Sequence, residues 1–484
     1  MEALQRLHNR GSISTGYDID NSYKNENDNT ERMYRPWGGI TANTRTWTVS
    51  LWVKRTELGA CYTWGAGVSG NDVLVVDFDS DDRLGFRSTI SATNDCVYRT
   101  NRVFRDTSAW YHLVFAVDTT SSTAGNRLRI YVNGVEETSF ATETNFDQND
   151  LTMHNANSSY MEVGAVIGES PRFNGYIAEV NSITGTQYAP TAFGEFDEDT
   201  GIWKPIKFTG SYAENSVFLE FKDSSSLGTD TSGNSQTFTL QNLTAADQAT
   251  DTPTNNFCTF NPLQTVRLNT GSGHKWTISN GATSAIQAAD YGYMTHAGNI
   301  GFKKGKWYAE FKAGTGTSQA GVGMNQLDNT GAWEESYIGA YANATAIGMC
   351  KSQDGYFYRN GGSGALGVSW AAGDILGIAI VINDDGTGFM GMSKNGTWEN
   401  SQNPSSGTSG MLGLYYGNAL PAHLFHSFAV WTRRNNGAML ANFGGFPGFT
   451  ISSANADANG YGNFEYAVPT GYYALCTKNL EEFG

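Results

Sequence analysis

Residues 373–398, GDILGIAIVINDDGTGFMGMSKNGTW, decide how the rest of the chain is read. They contain an apolar run from Ile375 to Ile382 with scattered glycine, a polar Asn383-Asp384-Asp385-Gly386, a second run from Phe389 to Met392, and a tight Asn395-Gly396. The first run is too short and too rich in Gly, Ile and Val for a helix, and Asp-Gly and Asn-Gly supply the positive φ that hairpin turns need. Two buried strands joined by a hairpin are predicted. Far upstream, residues 126–136 (NRLRIYVNGVE) repeat the pattern, with Leu128, Ile130 and Val132 alternating with polar residues before another Asn-Gly. The chain builds the same kind of object twice.

At 484 residues the chain is too long for one sandwich of ordinary size, so two domains with connectors are expected. Its 57 Gly, 24 Tyr and 12 Trp, set against only 16% charged residues, are the composition of a turn-rich β-protein with little helix. A net charge of −16 and the scattering of its 31 basic residues exclude a nucleic-acid partner, which needs clustered Lys and Arg. Five scattered cysteines (Cys61, Cys96, Cys258, Cys350, Cys476), odd in number and without C-x-x-C, make neither a disulfide framework nor a zinc site and fit a reducing compartment. The opening MEALQRLHNRGSIST has no apolar signal core, and no apolar run approaches the roughly 20 residues of a membrane span. A soluble protein made inside a cell is expected.

Taken in order, Leu4 and Leu7 give residues 1–10 a short helical pattern that ends at Gly11 and would be marginal alone in water. A frayed terminus and a peg that orders against a partner both fit it. Residues 22–34 are polar. The first convincing strand is 46–54, with Trp47, Val49, Leu51 and Val53 on one face and Thr48, Ser50, Trp52 and Lys54 on the other. Further strands are predicted at 73–78, 84–87, 109–118, 128–132, 161–167 and 175–180, separated by loops rich in Asn, Ser, Thr and Asp. Such spacing without helical patterns means a two-sheet antiparallel sandwich.

Four of these motifs carry a resemblance. Residues 47–54, then Trp110-Tyr111-His112-Leu113 and its continuation to Asp118, then 128–134, then Phe173-Asn174-Gly175-Tyr176-Ile177-Ala178-Glu179-Val180 resemble, in this order, the strand signatures of laminin-G-like, concanavalin A-like jelly rolls over about residues 30–222. The local form, including 104–112 and Trp203-Lys204-Pro205, resembles versions in virion proteins of tailed phages, marine phages especially. Leu4-Gln5-Arg6-Leu7 is similar to the opening of those proteins and is implied to attach the chain to the particle. The polar stretches 223–235 and 243–256 fit an ordered surface connection and a flexible linker equally, and 251–263 resembles the phage linker.

Beyond it, Lys306-Trp307-Tyr308-Ala309-Glu310 alternates cleanly, and 320–324 reads as a glycine-rich buried strand. Together with Trp370-Ala371-Ala372-Gly373-Asp374-Ile375-Leu376-Gly377-Ile378 and Ser393-Lys394-Asn395-Gly396, these resemble the signatures of a SPRY domain. Residues 446–464 are a glycine-rich departure from that pattern, read as an exposed loop and a place for specificity. The expected fold is all-β: an N-terminal attachment segment 1–22, a concanavalin A-like jelly roll 23–222, a linker 223–265 and a SPRY-like sandwich 266–484.

For chemistry, Asp77 and Asp79 lie two apart at a strand end, with Asp81 and Asp82 beyond, and a carboxylate pair is what a glycosidase requires. A solvated turn or a weak Ca²⁺ corner accounts for a lone D-x-D better, so no enzyme and no cofactor are expected, with Ca²⁺ the one ion the oxygen ligands could suit. His112 is read as a core residue, as its family counterpart is, and no nucleophile triad or phosphate loop occurs. Strand tryptophans Trp47, Trp110, Trp307 and Trp370 belong to cores. The aromatic residues read as lying in loops, Trp64, Tyr98, Trp333, Tyr337, Tyr356, Tyr358 and Tyr461, are the candidate ligand-binding residues, because a rim can hold rings exposed.

The resemblance implies a tail fibre, spike or similar virion appendage, assembled in the host cytoplasm. It would bind other virion proteins through its N-terminal segment and a host-surface glycan or protein through its sandwiches, as a homo-oligomer with a trimer favoured. The alternatives are a purely structural decoration or connector protein, and a capsular-sugar depolymerase.

Overall fold

The computed structural model describes residues 16–37, 44–264, 266–267, 273–274, 276–287, 294–315, 319–327, 337–339, 348–359, 362–365, 369–408, 410–413, 425–433 and 437–484. The N-terminal residues Leu4, Gln5, Arg6 and Leu7 lie outside these, as does Trp333. The architecture is all-β, with antiparallel sheets in two compact units, residues 1–255 and 256–484.

In the first unit one sheet runs, in spatial order, through Val135–Glu136, Leu128–Val132, Trp110–Asp118, Thr46–Arg55, Gly175–Thr184, Ser22–Asn25 and Gln248–Ala249, and Val217–Leu219 also pairs with Gly175–Thr184. The facing sheet runs through Phe140–Thr144, Thr93–Val103, Arg83–Ile90, Asp72–Phe78, Cys61–Ser69, Tyr160–Val163, Arg32–Pro36 and Thr239–Gln241. Alternation places Trp47, Val49, Leu51 and Val53 in the shared core against Trp64, Leu74, Val76 and Phe86. The other face of Thr46–Arg55 is buried too. Phe193 and Phe208 lie over Val114, Ala116, Tyr131 and Ile183, and Trp203 stacks on His112, which stacks on Trp52. Room for the Trp203 ring is made by glycine, since a Cβ on Gly134 would fall 2.2 Å from it.

Three expectations change here. The polar stretch 22–34 contains buried strand, because its polar side chains are paired internally: Lys24 meets Glu31 at 3.0 Å and Asp247 at 3.0 Å. The strand predicted over 161–167 ends at Val163, where Gly164 (φ +81°) turns the chain. The connection read as linker is built into the first sandwich. Thr239–Gln241 and Gln248–Ala249 extend the two sheets, and Asp251 accepts from Lys54 Nζ at 2.7 Å and Trp110 Nε1 at 3.1 Å. Thr254 brackets Ile19 with two hydrogen bonds, so residues 17–22 join the same body.

In the second unit one sheet orders Trp276–Ser279, Ser284–Gln287, Gly437–Asn442, Gly305–Ala313, Ile375–Ile382, Gly388–Lys394 and Thr397–Trp398, with Leu412–Gly413 and Tyr473–Ala474 alongside. The other orders Met294–Ala297, His426–Thr432, Ala320–Gln326, Gly348–Ser352, Tyr356–Arg359 and Gly362–Ala365. The predicted hairpin is present, Ile375–Ile382 pairing with Gly388–Lys394 from Leu376↔Lys394 to Ile382↔Gly388. Its loop closes through Gly386 N–H on Asn383 O at 2.9 Å with Gly386 at φ +79°, a type I turn with a bulge. Asn395-Gly396 (φ +49°, +80°) and Asn133-Gly134 (φ +48°, +78°) make the same primed two-residue turn in the two units. One short helix, Thr477–Phe483, ends the chain, and among the described residues no helix is long and apolar enough to cross a membrane.

Candidate functional site

Tyr356 and Tyr358 share the outer face of the six-stranded sheet of the second unit, and Tyr337 packs against Tyr358. In Tyr356–Arg359 the Phe357 ring packs inward against the core, so Tyr356 and Tyr358 point outward. Register then lays out two cross-strand rows on that face: Tyr358, Cys350, Gly323 and Ala429, and beside it Ser352, Gly321 and Trp431. With no side chain on Gly321 or Gly323, the segment 337–339 settles onto the sheet, where Ile338 is buried with Cys350 and Trp431. Tyr337 lies with its ring centroid 4.6 Å from Tyr358 and 5.7 Å from Trp431. Trp431 Nε1 donates to Cys350 Sγ at 3.1 Å, and burial pushes the Cys350 thiol up to about 12.

Tyr356 stands at the open end of this face and is 43% exposed. Across the hairpin its neighbour is Ala365 and that of Tyr358 is Ser363, both small and both exposed. Ser352 Oγ donates to the Tyr356 carbonyl at 3.0 Å and also to the exposed carboxylate of Asp354. Burial and then the Asp354 charge raise the pKa of the Tyr358 hydroxyl. Among the described residues the face carries one open ring, short hydroxyl side chains beside it and one carboxylate.

The other aromatic candidates lie elsewhere. Trp64 and Tyr98 are on strands, not loops, and their side chains are in the core at 0% and 3% exposure. Gly65 beside Trp64 serves close packing: a Cβ there would sit 2.8 Å from a Val166 methyl. Tyr98 donates its hydroxyl to Asn145 Oδ1 at 2.6 Å and meets Phe140 edge-on at 4.9 Å. Tyr461 packs beside Phe464 on the outer face of the nine-stranded sheet, its backbone N–H on Asp457 Oδ1 at 3.0 Å.

Tyr461 belongs to the stretch 446–464 that was expected to be an exposed loop. Instead Phe446, Phe449 and Phe464 are buried, Asn455 and Phe464 exchange two backbone hydrogen bonds, and Glu310 gathers the chain that follows. The Glu310 carboxylate accepts from the backbone N–H groups of Glu465 and Tyr466, each at 2.8 Å, and from Tyr308 Oη at 3.1 Å. Burial outweighs these donors and pushes its pKa up to about 7. Glycine and short polar residues read as loop signals could not reveal that a buried carboxylate one sheet away would supply the missing acceptors.

The Asp77–Asp79 pair is not opposed across a cleft. Arg99 lies over the bare Gly85 and bridges the two, Nη1 to Asp77 Oδ2 at 2.8 Å and Nε to Asp79 Oδ2 at 3.6 Å. Asp79 Oδ1 also accepts the backbone N–H groups of Asp81 and Arg83, and Asp82 is paired with Arg55 and Arg105. Among the described residues no three His, Cys, Asp or Glu side chains are grouped as a metal ion requires. His112 is fully buried. Trp203 Nε1 donates to its Nδ1 at 3.0 Å, which leaves the Nε2 proton for Ser50 Oγ at 2.8 Å, and burial lowers its pKa to about 3. A second buried histidine, His154, was not singled out from sequence. It stacks on Trp47 at 4.6 Å and is lowered to about 3 by burial and Arg35.

Residues 31–185 match Laminin_G_3, the concanavalin A-like lectin/glucanases superfamily. The expected jelly roll of the first unit is thus shown by sequence as well as by fold. No curated protein matches the chain. Among solved structures it is similar to the SPRY domain of human HERC1, at 13% identity over 38% of this chain and 96% of that one, with a TM-score of 0.26. It is likewise similar to a heptameric SAP-like pentraxin from Limulus polyphemus, at 13% identity over 46% of this chain and 96% of that one, TM-score 0.29. A third is domain 4 of AbnA, a GH43 extracellular arabinanase from Geobacillus stearothermophilus in complex with arabinotriose, at 22% identity over 31% of this chain and 66% of that one, TM-score 0.24.

Proposed function

We propose that this chain is a non-catalytic virion component of a tailed phage, an appendage whose second sandwich binds a host-surface glycan or protein. The observation that carries the reading is Tyr337 packed on Tyr358 on the outer face of the second sandwich, with Tyr356 on the same face open to solvent. Large rings held rigid by a sheet give contact area at little entropic cost, which is the usual currency of recognition. The carboxylates of the first sandwich favour holding over hydrolysis, since Asp77 and Asp79 share one arginine. The match of residues 31–185 to a lectin and glucanase superfamily bears on the first sandwich, where it supports a sugar-binding module. The phage origin rests on the ordered motifs and on the Leu4-Gln5-Arg6-Leu7 opening, which would attach the chain to other virion proteins as a trimer.

The test is adsorption. Purified protein should bind host cells and compete with virions, antibody to it should block attachment, and Tyr356→Ala should lose competition. Labelling confined to head or tail body with adsorption unaffected would instead make it a decoration protein. Release of oligosaccharide from host envelope, abolished by Asp77→Ala, would make it a depolymerase.

A further inference from the structure

Lys24, on the strand Ser22–Asn25 of the first unit, is held in a setting that suits covalent chemistry as well as an ion pair. Three carboxylates surround its nitrogen, with Asp247 Oδ1 and Glu31 Oε1 each at 3.0 Å and Glu26 Oε2 at 3.6 Å. All four side chains are largely out of water, Lys24 at 3% exposure, Glu31 at 2% and Asp247 at 10%. One ammonium does not balance three buried carboxylates, so a further proton is shared among the acids. Burial raises the pKa of Glu31, Lys24 opposes this and the Asp247 charge adds to it, so Glu31 is the acid placed to carry that proton. Burial works against the charge on Lys24, but Glu31 and Asp247 outweigh it, and the ammonium is the resting form.

The two oxygens of Asp247 are engaged differently. Oδ1 faces Lys24, while Oδ2 accepts from the Thr244 backbone N–H at 2.8 Å and from Thr244 Oγ1 at 3.1 Å in the capping box of the turn that ends at Asp247. Fixed donors on one carboxyl oxygen stabilise the negative charge that develops there when an amine adds to the carbon. A nucleophile, an acyl carbon with its oxyanion donors and a proton carrier are thus held together by the fold. We propose that Lys24 and Asp247 join in an intramolecular isopeptide bond, with Glu31 carrying the proton. Glu31 gives its proton to Oδ1 and, now ionised, takes one from Nζ. The Nζ lone pair forms the new bond to Asp247 Cγ, and the carbonyl electrons rest on Oδ2 between the Thr244 donors. A second proton passes from Nζ to Oδ1, the Cγ–Oδ1 bond breaks, water leaves and the carbonyl re-forms. Glu31 ends protonated as it began, the charges of Lys24 and Asp247 vanish together, and no further reagent is consumed.

The bond would tie the strand Ser22–Asn25 covalently to the turn that precedes its sheet neighbour Gln248–Ala249. A pull on the chain before Ser22 would then be borne by an amide and not only by the pairing of a four-residue strand. This does not depend on what the second sandwich binds.

Intact-mass spectrometry of the full chain, unfolded in acid, tests it. The mass should fall below that of the sequence by one water, and a tryptic map should contain one branched peptide joining Lys24 to Asp247. Lys24→Arg and Asp247→Ala should each restore the full mass, and Asp247→Asn should form the same bond with loss of ammonia in place of water. Glu31→Gln should slow formation by roughly a hundredfold or more, the usual worth of a positioned proton carrier, and leave most of the chain unlinked. The full mass in the unaltered chain after prolonged incubation at neutral pH, with Lys24 open to acetylation once unfolded, overturns the inference. So does a loss of water that maps to a succinimide at Asp354-Gly355 or Asp385-Gly386. Complete linking in Glu31→Gln overturns the role given to Glu31.

Discussion

Lys54 and Asp251 are almost fully buried as an ion pair, with side chains 0% and 1% exposed, and the pair is completed by Trp110 Nε1. Breaking such a pair leaves one charge uncompensated in a low dielectric, whereas replacing both members by apolar groups removes the desolvation cost as well. Lys54→Met is therefore expected to destabilise the first unit by about 3–5 kcal/mol in urea unfolding, and Lys54→Met with Asp251→Leu to recover most of that. Gly134→Ala should also be costly, since its φ of +78° and the Trp203 ring 2.2 Å from the added Cβ both oppose it. A loss on the order of 2 kcal/mol is expected. His112 and His154, both held neutral with pKa values lowered from 6.5 to about 3, set a pH dependence. Their contribution to stability is present above pH 6.5 and is lost as pH falls from there toward 3, because the unfolded chain takes up the protons first. His154→Phe, which keeps a ring on Trp47, should flatten the fall in Tm between pH 6.5 and 4.

At the scale of elements, the hairpin Ile375–Ile382 with Gly388–Lys394 and the turn Asn395-Gly396 were legible because their signals are local: apolar runs of strand length and a dipeptide that tolerates positive φ. The stretch 446–464 was not legible, because what holds it is distant in the chain: Asn442 donates to the Asn463 carbonyl, and Glu310 fixes residues 465 and 466 just after it. That clasp carries its own prediction. With its pKa raised from 4.5 to about 7, Glu310 favours the folded state when protonated, so its contribution is fully present below pH 4.5 and is lost as pH rises to 7. The difference is on the order of 3 kcal/mol, and Glu310→Gln should remove that slope from the Tm of the second unit. Among the aromatic candidates, Tyr356 and Tyr358, read as loop residues, stand on the strand Tyr356–Arg359, and Trp64, read the same way, is a buried strand residue.

For the whole molecule, two separate cores make two cooperative units, and calorimetry of the full chain should resolve two transitions. Lys54→Met should move one and Glu310→Gln the other, and a single transition moved by both would contradict this. A chelator is expected to leave both where they are. The sequence by itself determined the all-β class, the pairing of Asn-Gly turns with alternating strands and the ordered jelly-roll motifs, because each depends on neighbours a few residues apart. Only the tertiary structure decided that residues 223–255 belong to the first sandwich, that Asp77 and Asp79 are joined by Arg99, and that three tyrosines share one face. Those outcomes depend on contacts between residues distant in the chain, such as Lys54 with Asp251 and Tyr337 with Tyr358. No local pattern encodes the partner of a buried charge or the register that brings two rings together.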